Sequence, residues 1–127
     1  MRLLPDTLAV LWRLADDRRL GQRARQAIAQ PDNLVYVSAA TAWEIALKRA
    51  LARLAAPGDI GDRIERNGFS DLAIELEHAV ASAALPRHHG DPFDRLLVAQ
   101  ARIEDMTLVT ADEDLARDDV ARLDACS

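Results

Sequence analysis

Apolar positions along this chain fall into short unbroken runs separated by stretches at helical spacing, and the two alternate regularly. Residues 2–4 read as a short apolar strand, after which Leu8, Leu11, Trp12 and Ala15 recur on one helical face. Asp16-Asp17-Arg18-Arg19 reads as a polar turn, and residues 21–30 as a second helix stopped before Pro31. Leu34-Val35-Tyr36-Val37, entered from the turn residues Asp32-Asn33, has the content of a buried strand. Ser38 is placed to cap a long helix whose predicted core stripe is Trp43, Leu47, Ala50/Leu51 and Leu54. Pro57-Gly58 breaks that helix, and residues 59–66 form another, ended by Asn67-Gly68. Residues 72–74 read as a third strand and 75–85 as a helix reaching Pro86. Asp91-Pro92, an acid cap with proline at the first helical position, starts a helix running to about residue 105. Residues 107–110 give a fourth strand, followed by a short helical turn and an edge strand around 120–123.

The order β-α-α-β-α-α-β-α-α-β predicts a three-layer α/β/α fold with a mostly parallel sheet of four or five strands. With 127 residues, half of them apolar, and no repeat or linker, one domain over 1–127 is expected. No apolar run approaches the ~20 residues that span a bilayer. The opening Met1-Arg2-Leu3-Leu4-Pro5-Asp6 meets an acid too early for a signal peptide. The lone Cys126 excludes an internal disulfide framework and a cysteine metal cage. A cytoplasmic protein without a membrane partner is the expectation. The net charge of -5 argues against a broad basic surface for nucleic acid. However, 15 of the 16 basic residues are Arg, which grips phosphate bidentately, and a bound metal could supply positive charge the side chains lack.

Four separated acids, Asp6, Glu44, Asp94 and Asp112, carry the candidate chemistry. Each has a local explanation. Asp6 is placed to cap the first helix, Asp94 to satisfy backbone N–H groups three residues after Asp91, and Asp112 to cap the last turn. Glu44, four residues before Lys48, suits a surface ion pair. Yet Asp6, Asp94 and Asp112 are all expected at strand-to-helix transitions, and a parallel sheet gathers its ligands outside the carboxyl ends of its strands. Converging carboxylates repel one another unless a hard divalent cation lies among them, which points to Mg²⁺ or Mn²⁺. His88 and His89 lie in a loop without a third ligand, and His78 is far from them in sequence. Trp12 and Trp43 fit core stripes better than base-stacking platforms. A phosphoacceptor receiver domain also gathers acids around Mg²⁺, but it wants a lysine at a late strand end, and the only lysine, Lys48, falls on a helix.

The segments Leu3-Leu4-Pro5-Asp6-Thr7, Ser38 through Lys48 with its Trp43-Glu44-Ile45, Asp91-Pro92-Phe93-Asp94-Arg95 and Leu108-Val109-Thr110-Ala111-Asp112 closely resemble the PIN-domain ribonucleases. They look most like the toxin subunits of VapBC-type toxin–antitoxin pairs, in the same order along essentially the whole chain. The resemblance implies an Mg²⁺-dependent endoribonuclease whose acidic site is Asp6, Glu44, Asp94 and Asp112. Asp6 and Asp94 are the expected direct ligands, with Glu44 and Asp112 acting through water. Thr7, Ser38 and Thr110 are expected beside the site, and Lys48 and Arg95 as phosphate contacts. A homodimer, or a hetero-oligomer with a small antitoxin, is implied as the assembly. Two departures stand out. Pro5 replaces the family's usual aliphatic residue before the first acid, and Leu8 stands where relatives favour His. Pro5 therefore leaves an alternative, a catalytically weak domain that serves mainly as an antitoxin-binding scaffold.

Overall fold

The computed structural model describes residues 1–86 and 90–127, so the expectations for His88 and His89 lie outside the described residues. Five strands, β1 (Arg2–Pro5), β2 (Leu34–Ser38), β3 (Ser70–Leu72), β4 (Thr107–Thr110) and β5 (Arg122–Asp124), form one sheet in the order β3-β2-β1-β4-β5. Every pairing is parallel. The helices between them are α1 (Thr7–Leu14), α2 (Gln22–Ala29), α3 (Ala39–Ala50), α4 (Ile60–Arg66), α5 (Leu76–Ala84) and α6 (Pro92–Ile103), and a 3₁₀ turn (Glu113–Asp118) precedes β5. The third strand begins two residues before its expected start, at Ser70, and pairs through Tyr36↔Ser70 to Ser38↔Leu72. The expected edge strand is displaced by two residues.

Alternation along the central strands makes the three layers. Leu4 and Leu108 face one core with Leu97, Val98 and Ala101 of α6, while Leu3 and Val109 face the other with Ala9 and Trp12 of α1 and Ala24 and Ile28 of α2. The chain winds outward from β1 through β2 to β3, then returns to the far side of β1 for β4 and β5. The winding therefore reverses between β1 and β4, the place where open parallel sheets leave a crevice at their carboxyl ends.

Pro5 sits at that crevice with little disturbance. The Asp6 N–H donates to the Val109 carbonyl at 2.9 Å. Since N–H groups alternate in direction along a strand, the missing N–H of Pro5 faces β2. The β1–β2 register comprises Arg2↔Leu34 and Leu3↔Val35, and Pro5 lies beyond it.

Two predicted helix stripes are corrected. On α1 the buried residues are Thr7, Ala9, Val10 and Trp12, whereas Leu8 is 53% exposed. On α3 the buried face is Ala40, Thr41, Glu44 and Ile45, and the expected stripe points outward, with Trp43 55% and Leu51 53% exposed. The helix also ends at Ala50, before Leu54. The apolar stripe was the wrong guide because the first turns of α3 pack beside the crevice, where the inward surface is polar.

Trp12 and Trp43 should therefore respond oppositely to truncation. Trp12→Ala is expected to cost about 3–5 kcal/mol in urea unfolding, because it hollows the α1 side of the core. Trp43→Ala is expected to cost only about 1 kcal/mol, chiefly its edge-to-face contact with Phe93. Equal losses would contradict the orientation of α3.

Candidate active site

The crevice is built first from the ends of β1 and β4. Asp6 ends β1 as the N-cap of α1, and its Oδ1 accepts from the Ala9 N–H at 2.9 Å. Its Oδ2 accepts from the Thr110 hydroxyl at 2.6 Å, so the last residue of β4 fixes the carboxylate of β1. Thr110 Oγ1 in turn accepts the Asp112 N–H at 3.0 Å. Asp112 caps the 3₁₀ turn through the Asp114 N–H at 2.9 Å and is exposed.

Two helices complete the wall. Glu44, on the inward face of α3, is only 6% exposed. Its Oε1 accepts from Thr7 Oγ1 at 2.6 Å and its Oε2 from Lys48 Nζ at 2.5 Å. The expected surface pair is thus a buried carboxylate held between a hydroxyl and a half-buried ammonium. On α6, Asp91 caps the helix by accepting from the N–H groups of Phe93 (2.8 Å) and Asp94 (3.1 Å). Asp94 lies in the first turn of α6, and among the described residues the element before that helix is α5 rather than a strand.

All four predicted acids line one cleft of about 440 Å³, together with Asp91, Thr7, Lys48 and an apolar flank of Leu8, Leu11 and Leu54. Three helical N-termini, those of α1, α6 and the 3₁₀ turn, begin there, and their partial positive charge favours acids. It does not offset the crowding. Burial pushes the Asp6 carboxyl above its ordinary value, with Asp112 and Glu44 adding to the rise and the Thr110 and Ala9 hydrogen bonds opposing it. Asp94 is pushed up to about 7 by burial first and then by the charges of Asp91, Asp6, Glu44 and Asp112. The hydrogen bond to Glu44 raises the Lys48 ammonium, with Asp91 and Asp94 contributing. The cleft is a cation-seeking site built from hard oxygen donors, the class Mg²⁺ prefers. Among the described residues, no group of three His, Cys, Asp or Glu side chains stands ready to hold a metal ion. Asp6, Glu44, Asp91 and Asp112 are instead each drawn to their own hydroxyl, amide or ammonium.

Not every expected residue arrives at the cleft. The Ser38 hydroxyl is buried and donates to Gln100 Oε1 at 2.5 Å while capping α3. It lines a different, larger cleft of about 670 Å³ beside β2 and β3, where Glu65 and Asp71 are the acids among the described residues. Arg95 does not line the acidic cleft. Its guanidinium donates to the carbonyls of Leu85 (2.7 Å) and Pro86 (3.1 Å), closing the end of α5. His78 is buried as well, with Nδ1 accepting from the Glu75 N–H and Nε2 paired with Glu104 at 3.0 Å. Asp91 is the cleft residue whose charge was missed, since capping accounted for it fully. Its spacing of three from Asp94, one at the cap and the other in the first turn of the same helix, was the available signal.

The family model described as PIN domain matches residues 3–120. No curated protein matches the chain. Among solved structures, VapBC2 from Rickettsia felis bound to a DNA fragment from their promoter is similar at a TM-score of 0.71 and 11% identity, over 97% of this chain and 98% of that one. FitAB bound to an IR36 DNA fragment gives 0.61 and 22%, over 98% and 96%. FitAcB from Neisseria gonorrhoeae gives 0.58 and 19%, over 97% of each. These likenesses extend the fold over nearly the full chain.

The charge crowding has a measurable sign. Asp94 binds its proton more tightly folded, at about 7, than at the ordinary 3.8, so the folded state holds more protons between those values. Stability in EDTA should therefore fall as pH rises from about 4 to 7, with the full penalty present above 7. Asp94→Asn is expected to flatten that slope and to gain about 1–2 kcal/mol at pH 7.5, after allowance for solvent screening. Thermal unfolding at pH 5.5 and 7.5 reads it, and a destabilised Asn variant at pH 7.5 would count against the crowding.

Proposed function

The chain belongs to the PIN-domain family, and from that premise we propose that it is an Mg²⁺-dependent endoribonuclease acting as the toxin of a toxin–antitoxin pair. The observation that carries the nuclease reading is the convergence of Asp6, Glu44, Asp94 and Asp112 on one cleft at the point where the sheet reverses its winding. The toxin role rests on the resemblance to VapBC-type toxin subunits and on the likeness in fold to VapBC2 and FitAB. A small antitoxin is the corresponding partner, and self-association into a dimer the corresponding assembly.

Asp6 and Asp94 would hold the ion directly, and Glu44 and Asp112 through water. The raised proton affinities of Asp6 and Asp94 fit such a role, because carboxylates that resist ionising together gain most from a cation between them. Mg²⁺ or Mn²⁺, when bound, supplies a more acidic water and neutralises charge on the phosphate. The chain's own residues do the rest. Thr110 and the Ala9 N–H hold both oxygens of Asp6 in place. Thr7 turns Glu44 toward the cleft, and Lys48, kept protonated by Glu44, offers a positive charge to a phosphate oxygen. The backbone bond from Asp6 to Val109 is intact beside Pro5, so the scaffold reading gains no support from this geometry.

Purified protein is expected to cleave RNA with Mg²⁺ and to stop in EDTA. Asp6→Asn and Asp94→Asn should each lower kcat/KM by at least about 100-fold, and Thr7→Val by roughly tenfold. Equal cleavage by wild type, the EDTA sample and Asp94→Asn would refute the assignment.

A further inference from the structure

Gln100 is a buried polar residue that the acidic cleft leaves unused. It is fully buried on α6, beside Leu97, Val98, Ala99 and Ala101 of one core. A side-chain amide in such surroundings is costly unless both of its ends are bonded. Both are. Its Oε1 accepts from the Ser38 hydroxyl at 2.5 Å, and its Nε2 donates to the Ala73 carbonyl at 3.2 Å. Ser38 in turn accepts the Ala40 N–H at 3.0 Å as the N-cap of α3. One amide on the helix that carries Asp94 therefore grips the start of the helix that carries Glu44.

That grip matters because burial alone does not hold α3 in its observed rotation. The inward face, Ala40, Thr41, Glu44 and Ile45, offers one large apolar side chain. The outward face carries three, with Trp43 55%, Leu47 38% and Leu51 53% exposed. Hydrophobic burial would gain more from the opposite rotation, which would cover Trp43 and swing Glu44 away from the cleft. Directional bonds are what specify the orientation found. Two of them, from Thr7 and Lys48, act on the Glu44 carboxylate and need it already in place. The bond from Ser38 to Gln100 acts at the start of the helix, whatever Glu44 does.

We infer that Gln100 is a positioning residue, which through Ser38 fixes the rotation of α3 and so keeps Glu44 in the cleft with Asp94. The inference deepens the nuclease reading and rests on it for the consequence to metal binding and cleavage.

Gln100→Met keeps an unbranched side chain of similar length and removes both bonds. In EDTA, acrylamide quenching of Trp43 is expected to fall and its emission to shift to the blue as α3 loses its rotation. With Trp43→Phe as the parent, where the buried Trp12 is the remaining indole, Gln100→Met should produce no shift. Mn²⁺ affinity of the metal-free protein near pH 7 should fall roughly tenfold, the loss typical when a group that orients a metal ligand is removed. With Mg²⁺, kcat should fall by a similar factor while KM for RNA stays within about twofold. Added to Glu44→Gln, Gln100→Met should change Mn²⁺ affinity by less than about twofold, since no Glu44 remains to be misplaced. Ser38→Ala cuts the same bond from its other end and should reproduce these losses, which keeps the test open if Gln100→Met does not fold. Val98→Ala, an apolar cut on the same helix, should lower the melting temperature and leave Mn²⁺ affinity unchanged. Unchanged Trp43 quenching, or unchanged affinity in a protein that does bind Mn²⁺, would overturn the inference. So would an equal loss of affinity in Val98→Ala or in the Glu44→Gln background, which would assign Gln100 to general stability. A wild type that neither binds Mn²⁺ nor cleaves RNA, together with the Trp43 shift in Gln100→Met, would sink the nuclease reading and keep the hold of Gln100 on α3.

Discussion

Carboxylates crowd at the carboxyl edge of a parallel sheet, and most features of this molecule either create that crowding or compensate for it. The reversal of winding between β1 and β4 leaves the crevice, and the strand ends and helix starts around it bring Asp6, Asp94, Asp91 and Asp112 together. Each acid has a stabilising local job at a helix N-terminus, so the cluster forms without any one residue being strained into place. What remains uncompensated is the sum. Asp94 is pushed up to about 7, first by burial in the cleft and then by the charges of Asp91, Asp6, Glu44 and Asp112. A site of this kind attracts cations through its electrostatics, before any ligand geometry is perfected.

The hydroxyls around the cleft are the second half of the design. Thr110 fixes Asp6, and Thr7 fixes Glu44, each through a bond of 2.6 Å. These threonines sit at the end of β4 and the start of α1, so the sheet and the first helix, rather than loops, hold the acids. Lys48, the single lysine of the chain, adds an ammonium half-buried against Glu44.

Much of this was legible in the sequence because it follows short-range rules. Strand ends followed by an acid and a helical spacing located Asp6 and Asp112, and the Asp91-Pro92 start located the turn that carries Asp94. The errors have a common physical origin. Helical periodicity shows that α3 has an apolar stripe, but not which side meets the protein. The stripe of Trp43, Leu47 and Leu51 looks like a core face, yet Ala40, Thr41, Glu44 and Ile45 are the buried ones. Arg95 illustrates the same limit. Next to Asp94 in sequence, it lies about a quarter turn away round α6 and serves the carbonyls that end α5. Ser38, at a strand end, was drawn to Gln100, 62 residues away, a contact no local pattern encodes.

The most direct test of the central claim measures the cation rather than the reaction. Mn²⁺ added to metal-free protein near pH 7 should bind at a single site. It should release protons into a weakly buffered solution, because Asp94 gives up the proton that burial and crowding made it keep. In Asp94→Asn both the affinity and the proton release should fall. Absence of Mn²⁺ binding at millimolar concentration, or binding that releases no proton and is indifferent to Asp94→Asn, would contradict the account.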